Sequence, residues 1–230
     1  MGILKSFYRG SVNECKQSIY NLLERNPKAK ILDLGCWDGE LSLEVAKRIG
    51  TKKVYGIEIV KEKIKEAKSR GVNAFQGDLN KKFPFKDNFF DVIIANQVIE
   101  HLYDTDNFVQ EIRRILKPNG YSVISTNNLS SWHNIFALIL GHQPFPSDVS
   151  KYVGVGKLFA LWKDDAGSFS HLRIFSYSAL KGIFKKYEFK IEKHKGIGYY
   201  PFPVTISRFL SKIDPWHSVY QTIKVRKITK

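Results

Sequence analysis

The chain has 230 residues, 43% hydrophobic and 26% charged, with a formal net charge of +15. That length suits one well-buried core rather than two independent ones, and the composition is ordinary for a globular domain. No apolar run approaches the ~20 residues that span a bilayer, and residues 1–10 lack the apolar core and cleavage site of a secretory leader, so a cytoplasmic protein is expected.

Residues 11–24 can form a helix that Asn26-Pro27 ends. Residues 29–34 (Ala-Lys-Ile-Leu-Asp-Leu) form a compact apolar run, the pattern of a strand buried on both faces. Over residues 38–49, Leu41, Val45 and Ile49 share a helical face, with Gly50 placed to stop it. A second strand is read over 54–60, a second helix over 61–70, and a short third strand over 73–79. Residues 90–95 (Phe-Asp-Val-Ile-Ile-Ala) make the clearest strand, followed directly by Asn96 and Gln97. Residues 106–116 repeat as a helix, Lys117-Pro118-Asn119-Gly120 closes it, and 121–126 return as a fifth strand.

Strands alternating with helices over short connections imply a Rossmann-like, doubly wound α/β fold. The sheet is expected to be mainly parallel, with seven strands and helices on both faces. The remainder is less regular. Residues 132–140 form a short apolar helix, and 141–170, with Pro144, Pro146 and several glycines, read as an insertion over the active face. Leu180, Ile183, Phe184 and Tyr187 mark another helix, and 188–194 with 219–225 a final antiparallel pair. A single domain is expected: a helical lid over 1–28, a core over 29–128, a lid over 129–175 and the rest of the sheet over 176–230.

Cys15 and Cys36, the two cysteines, give neither a disulfide framework nor a zinc knot. The basic excess marks either a solvated lysine-rich surface or a face for a polyanion such as nucleic acid or an anionic membrane. Lys61, Lys63, Lys65, Lys68 and Arg70 alternate with Glu62 and Glu66 as one solvated helix face would.

In open α/β sheets the ligand lies beyond the carboxyl ends of the strands. There the chain places Asp33-Leu34-Gly35-Cys36-Trp37-Asp38-Gly39, with Gly35 for a sharp turn and Gly39 for close backbone approach. About 20 residues on, Glu58 ends strand two, where a carboxylate can hold ribose hydroxyls. Asp78 could accept a bond from an adenine amino group. Asp38 and Glu40 crowd the helix start that a pyrophosphate would need, and neither GxGxxG nor GxxxxGK[ST] occurs. A ligand bearing an ammonium and a sulfonium, S-adenosylmethionine, fits this acidic turn.

From residue 30 to about 126 the motif order resembles the class I S-adenosylmethionine-dependent methyltransferases. The resemblance implies that Asp33, Gly35, Cys36 and Gly39 cradle the methionine part, Glu58 and Ile59 the ribose side, Asp78 and Leu79 the adenine, and Asn96 the methionine amino group. S-adenosylhomocysteine would be the product. Residues 116–120 (Leu-Lys-Pro-Asn-Gly) look like the family's turn before strand five. Trp37 departs from the family, which usually has a glycine there.

Methyl transfer to a hydroxyl needs alignment and a base. His101 and His171 are the candidate catalytic residues, His171 because residues 171–175 (His-Leu-Arg-Ile-Phe) resemble a stretch of small-molecule and lipid methyltransferases. Small-RNA ribose methyltransferases carry Glu-x-x-Glu-His plus a downstream histidine around a divalent ion. The matching positions are Gln97, Glu100, His101 and His171; the missing first carboxylate argues for no metal. The expected activity is O-methylation of a small-molecule, lipid or glycan-linked acceptor. The alternatives are RNA methylation, prompted by the charge, and a non-catalytic cofactor-binding relative. Oligomeric state stays open.

Overall fold

Strands buried on both faces send alternate side chains into two separate layers. In β1 (Lys30–Leu34), Ile31 packs with Val92 and Ile94 on one side, whereas Leu32 and Leu34 join Ile93 and Ala95 on the other. The computed structural model describes residues 10, 13–150, 155–158 and 171–228. Its sheet adds β2 (Lys53–Glu58), β3 (Asn73–Gln76), β4 (Phe90–Asn96), β5 (Leu116–Asn127), β6 (Phe189–Ile197) and β7 (Tyr220–Lys227). The seven strands run in the order β3-β2-β1-β4-β5-β7-β6. The first five are parallel and β7 is antiparallel to both neighbours, as the sequence leads one to expect.

One layer holds α1 (residues 13–20), α2 (Glu40–Ile49) and α3 (Lys61–Ser69). The opposite layer holds α4 (Thr105–Ile115) and α6 (Tyr177–Lys186). Helix α4 starts where Asp104 accepts the Asn107 amide at 2.9 Å, and its buried stripe of Phe108, Val109, Ile112 and Ile115 follows the helical period. Helix α2 stops at Gly50, whose left-handed φ of 87° is open to glycine at little cost.

Four local expectations change. Strand β3 ends at Gln76, because Asp78 Oδ1 accepts the Asn80 amide at 2.9 Å and turns the chain. Asp78 and Leu79 therefore follow the strand rather than end it. Strand β5 begins at Leu116, so residues 117–120 enter the sheet as an irregular edge, with a register shift opposite Phe90–Val92. The segment read as a lid packs Ile19 and Leu22 into the core between α1 and the sheet. Finally, α7 (Val204–Ile213) is a helix that the apolar pattern did not mark. Phe159 and Trp162 of the expected insertion lie outside the described residues.

Candidate cofactor and acceptor site

The order of strands reverses between β1 and β4, and the carboxyl ends of these two neighbours open the crevice where open α/β sheets bind ligands. The loop after β1 is wound tightly. Gly35, Trp37 and Gly39 have φ of 74°, 48° and 83°. A Cβ on Gly35 would lie 2.6 Å from Val98 Cγ2, so only glycine fits between the loop and the residues after β4. Gly39 is close to Ala67 and Val72 instead, with the space for its Cβ already filled at 2.9–3.2 Å. Its close approach serves the packing of α2 on α3.

Cys36 turns away from the crevice. A Cβ on Gly56 would meet its Sγ at 2.5 Å, and burial pushes the thiol up to about 12. What Cys36 offers the loop is backbone: its amide donates to the Ile57 carbonyl at 3.1 Å and its carbonyl accepts from Gly39 at 2.8 Å. Both cysteines are free thiols.

Asp33 is 1% exposed, and its carboxylate accepts the Ser42 hydroxyl at 2.6 Å. Burial raises it to about 7, with nearby Glu58 adding to the shift. Glu58 ends β2 and is almost buried. Its Oε2 accepts the Trp37 amide at 3.0 Å, and its Oε1 accepts the Ile59 and Val60 amides at 2.8 and 3.0 Å. The next side chain, Ile59, is 62% exposed. Asp78 lies below its usual range, held by the Asn80 amide and helped by Lys81. The Trp37 indole is 45% exposed with Lys63 Nζ 4.9 Å from its ring centre, so it extends toward solvent.

Asn96 ends β4, and its Oδ1 is buried without a hydrogen-bond partner among the described residues. A buried unsatisfied acceptor costs on the order of 1–3 kcal/mol, so the atom calls for a donor from outside the chain. The orphaned Asn96 oxygen, the high-lying Asp33 carboxyl and the Glu58 carboxylate fit a ligand with an ammonium group and ribose hydroxyls. The acids around the start of α2 fit no phosphate: Asp38 accepts the Glu40 amide at 3.2 Å and pairs with Arg70 at 3.1 Å.

A second group stands at the ends of β4 and β5. His101 closes a 3-10 turn, Ile99–His101, and its ring centre is 4.7 Å from that of His171. His171 Nδ1 is 2.7 Å from the Pro146 carbonyl. A carbonyl only accepts, so the proton sits on Nδ1 and Nε2 keeps the lone pair. That lone pair faces the Asn127 amide nitrogen at 3.4 Å, and burial lowers the ring below its ordinary 6.5. Glu100 is fully buried, accepting from Thr126 at 2.8 Å and Asn127 at 3.3 Å, and is pushed up to about 7 by burial. The Leu172 and Arg173 amides both donate to the Glu100 carbonyl, at 2.7 and 3.0 Å, which ties the His171 segment to the turn after β4.

Ligand atoms of Glu100, His101 and His171 all lie within 4.8 Å of one another. Gln97 Nε2 is 3.9 Å from Cys15 Sγ. Sequence reading passed over Ser42, Thr126 and Asn127, which hold Asp33, Glu100 and His171. The polar run at residues 126–128, directly at a strand's carboxyl end, is the signal that could have found the last two. Asn128 is fully buried there and donates to the Trp216 and Ser218 carbonyls at 2.8 Å each.

Known proteins resemble this chain in sequence and in fold. Residues 8–194 match a family model described as a methyltransferase domain. A ubiquinone biosynthesis O-methyltransferase from Pelagibacter ubique is 37% identical over 114 residues, covering 48% of this chain and 47% of that protein. A 2-phytyl-1,4-naphtoquinone methyltransferase from Trichormus variabilis is 34% identical over 110 residues, covering 43% and 46%. The chain thus spans about half the length of these curated relatives. Among solved structures, an S-adenosylmethionine dependent methyltransferase from Mesorhizobium loti superposes with a TM-score of 0.65 at 17% identity, covering 91% of this chain and 96% of that one. This chain belongs to the methyltransferase-domain family, the class I S-adenosylmethionine-dependent methyltransferases.

Proposed function

We propose that this chain methylates a hydroxyl of a small, partly apolar acceptor, with S-adenosylmethionine as donor. The observation that carries the reading is His171. Its Nδ1–H is spent on the Pro146 carbonyl, its ring is kept neutral by burial, and its Nε2 lone pair stands beside Asn127 at the strand edge. The relatives' names, a ubiquinone biosynthesis O-methyltransferase and a phytyl-naphtoquinone methyltransferase, support a ring-bearing small molecule over RNA as the acceptor class.

When bound, the cofactor supplies a methyl group on a sulfonium. Transfer to the acceptor oxygen would break the C–S bond, with the electron pair staying on sulfur. In this chain Asn96 and Asp33 would receive the ammonium end, and Glu58 the ribose hydroxyls. Ile59 and Leu79 would flank the base, with Asp78 at its amino group. His171 Nε2 would take the hydroxyl proton, with the His101 ring tilted against it. The resulting imidazolium would face the Asn127 N–H, donor against donor, which favours release of the proton to solvent. Transfer of label from S-adenosylmethionine to a panel of catechol and quinol acceptors tests the reading. Loss of transfer in His171→Gln, with cofactor binding intact, is the expected result. Full transfer by that variant would remove the base from His171.

A further inference from the structure

Two helices of this protein are built inside out. In α7 the buried residue is Ser207, whose hydroxyl accepts the Tyr199 amide at 2.6 Å. Ile206, Phe209 and Ile213, spaced three and four apart and so on one stripe, are 47%, 62% and 65% exposed. In α5 (Trp132–Ile139) the buried residues are Asn134 and Ala137. The Asn134 side chain is used inward, donating to the Asn128 carbonyl at 3.1 Å and accepting the Phe145 amide at 3.0 Å. Phe136, Leu138 and Ile139 are more than half exposed, Ile139 by 75%.

The start of α5 meets the end of α7. Trp132 Nε1 donates to Asp214, at the end of α7, at 3.1 Å, and its indole stacks on His217 at 4.4 Å. Trp132 and Trp216 are each 51% exposed at this junction, where an amphipathic aromatic suits a boundary between apolar and wet. Arg208, paired with Glu14, and the exposed Lys212 lie on the next face of α7. An apolar stripe beside a basic one is the pattern of a helix that lies in a membrane surface.

We propose that the exposed apolar residues of α5 and α7 dock on an anionic lipid bilayer. The charge chooses the occupant: a chain of +15 is drawn to an anionic surface and repelled by a second copy of itself. Among the described residues no helix is long and apolar enough to cross a membrane, so the helices lie on it. Helix α5 follows β5 after only a few residues, and Asn127 at the end of β5 faces His171, so the docked face borders the acceptor side of the site. The proposal deepens the reading of an apolar acceptor by naming the surface from which it would be reached, and its test does not use the reaction.

The experiment is sedimentation of the full chain with vesicles of equal parts phosphatidylcholine and phosphatidylglycerol, and with phosphatidylcholine alone. Expected are co-sedimentation with the mixed vesicles, weakening with salt, and about tenfold or greater loss of affinity in the Phe209→Glu/Ile139→Glu variant. The milder Phe209→Ser and Ile139→Ser variants should each weaken binding. Calorimetric binding of S-adenosylhomocysteine by every variant reports that the fold is intact. Failure of the unaltered protein to bind that ligand would count against the cofactor site, not against docking. Docking is overturned if the mixed vesicles leave the protein in solution, if neutral vesicles bind it as well, or if the substitutions change nothing. Self-association in ultracentrifugation that the same substitutions abolish would give the face to a second copy and also overturn it.

Discussion

The Glu58 carboxylate accepts the backbone amide of Trp37 at 3.0 Å, so the group placed to meet ribose also pins the glycine loop. Trp37 sits at φ 48°, a left-handed conformation that costs a non-glycine residue roughly 1 kcal/mol. Glu58→Ala should therefore lose cofactor affinity by well over tenfold. It should also lose about 1–3 kcal/mol of stability, because three loop amides lose their acceptor. Trp37→Gly should leave affinity near its original value, since the indole is 45% exposed and lies beside Lys63. Calorimetric titration beside denaturant unfolding separates the two effects.

Asn96 makes the opposite case. Its orphaned oxygen gives the unliganded fold no hydrogen bond to lose. Asn96→Ala should weaken cofactor binding by about tenfold, the worth of one charge-assisted bond, while the unliganded melting temperature stays the same or rises. A melting temperature that falls sharply, with affinity unchanged, would show that Asn96 is only structural.

Asp33 and Glu100 are both raised to about 7 by burial, from ordinary values near 4. Between about pH 4 and 7 the unfolded chain has given up these protons and the fold still holds them, so each group's contribution to stability falls as pH rises and levels off above about 7. Asp33→Asn, which keeps the shape and removes the charge, should therefore be more stable relative to the unaltered chain at about pH 8 than at about pH 5. It should also bind the cationic cofactor far more weakly at neutral pH. Thermal unfolding at the two pH values checks the first outcome and titration the second.

His171 sets the pH dependence of the reaction. Its ring is lowered below 6.5, so it is already a competent base at neutral pH. The rate should rise with pH only below about 6.5 and run flat above it, and that rise should vanish in His171→Gln. Chelators should leave methyl transfer unchanged, because Gln97 is turned toward Cys15 and Glu100 is already satisfied by Thr126 and Asn127. Activity lost to chelation and restored by a divalent ion would assign the Glu100, His101 and His171 cluster to a metal.

Much of this was legible because the core of the sheet is parallel. Strands covered on both faces must be continuous apolar runs, and residues 31–34 and 92–95 admit little else. The polar residues within or directly after those runs, Asp33 and Asn96, are the ones at the crevice. Helix α7 was hidden for the converse physical reason: Ile206, Phe209 and Ile213 face outward and Ser207 inward, so its stripe did not point to a core. That the Cys36 thiol fills the space left by Gly56 was hidden in the sequence, because it is a long-range contact that no local motif announces. Asn127 was missed because its two partners, Glu100 and His171, come from segments 27 and 44 residues away.

The most direct test of the account is calorimetric titration of the purified chain with S-adenosylmethionine and S-adenosylhomocysteine, repeated with Glu58→Ala. Micromolar binding at one site, abolished by the substitution, is the predicted result. A folded protein that binds neither ligand, or binds both equally well without the Glu58 carboxylate, would contradict it.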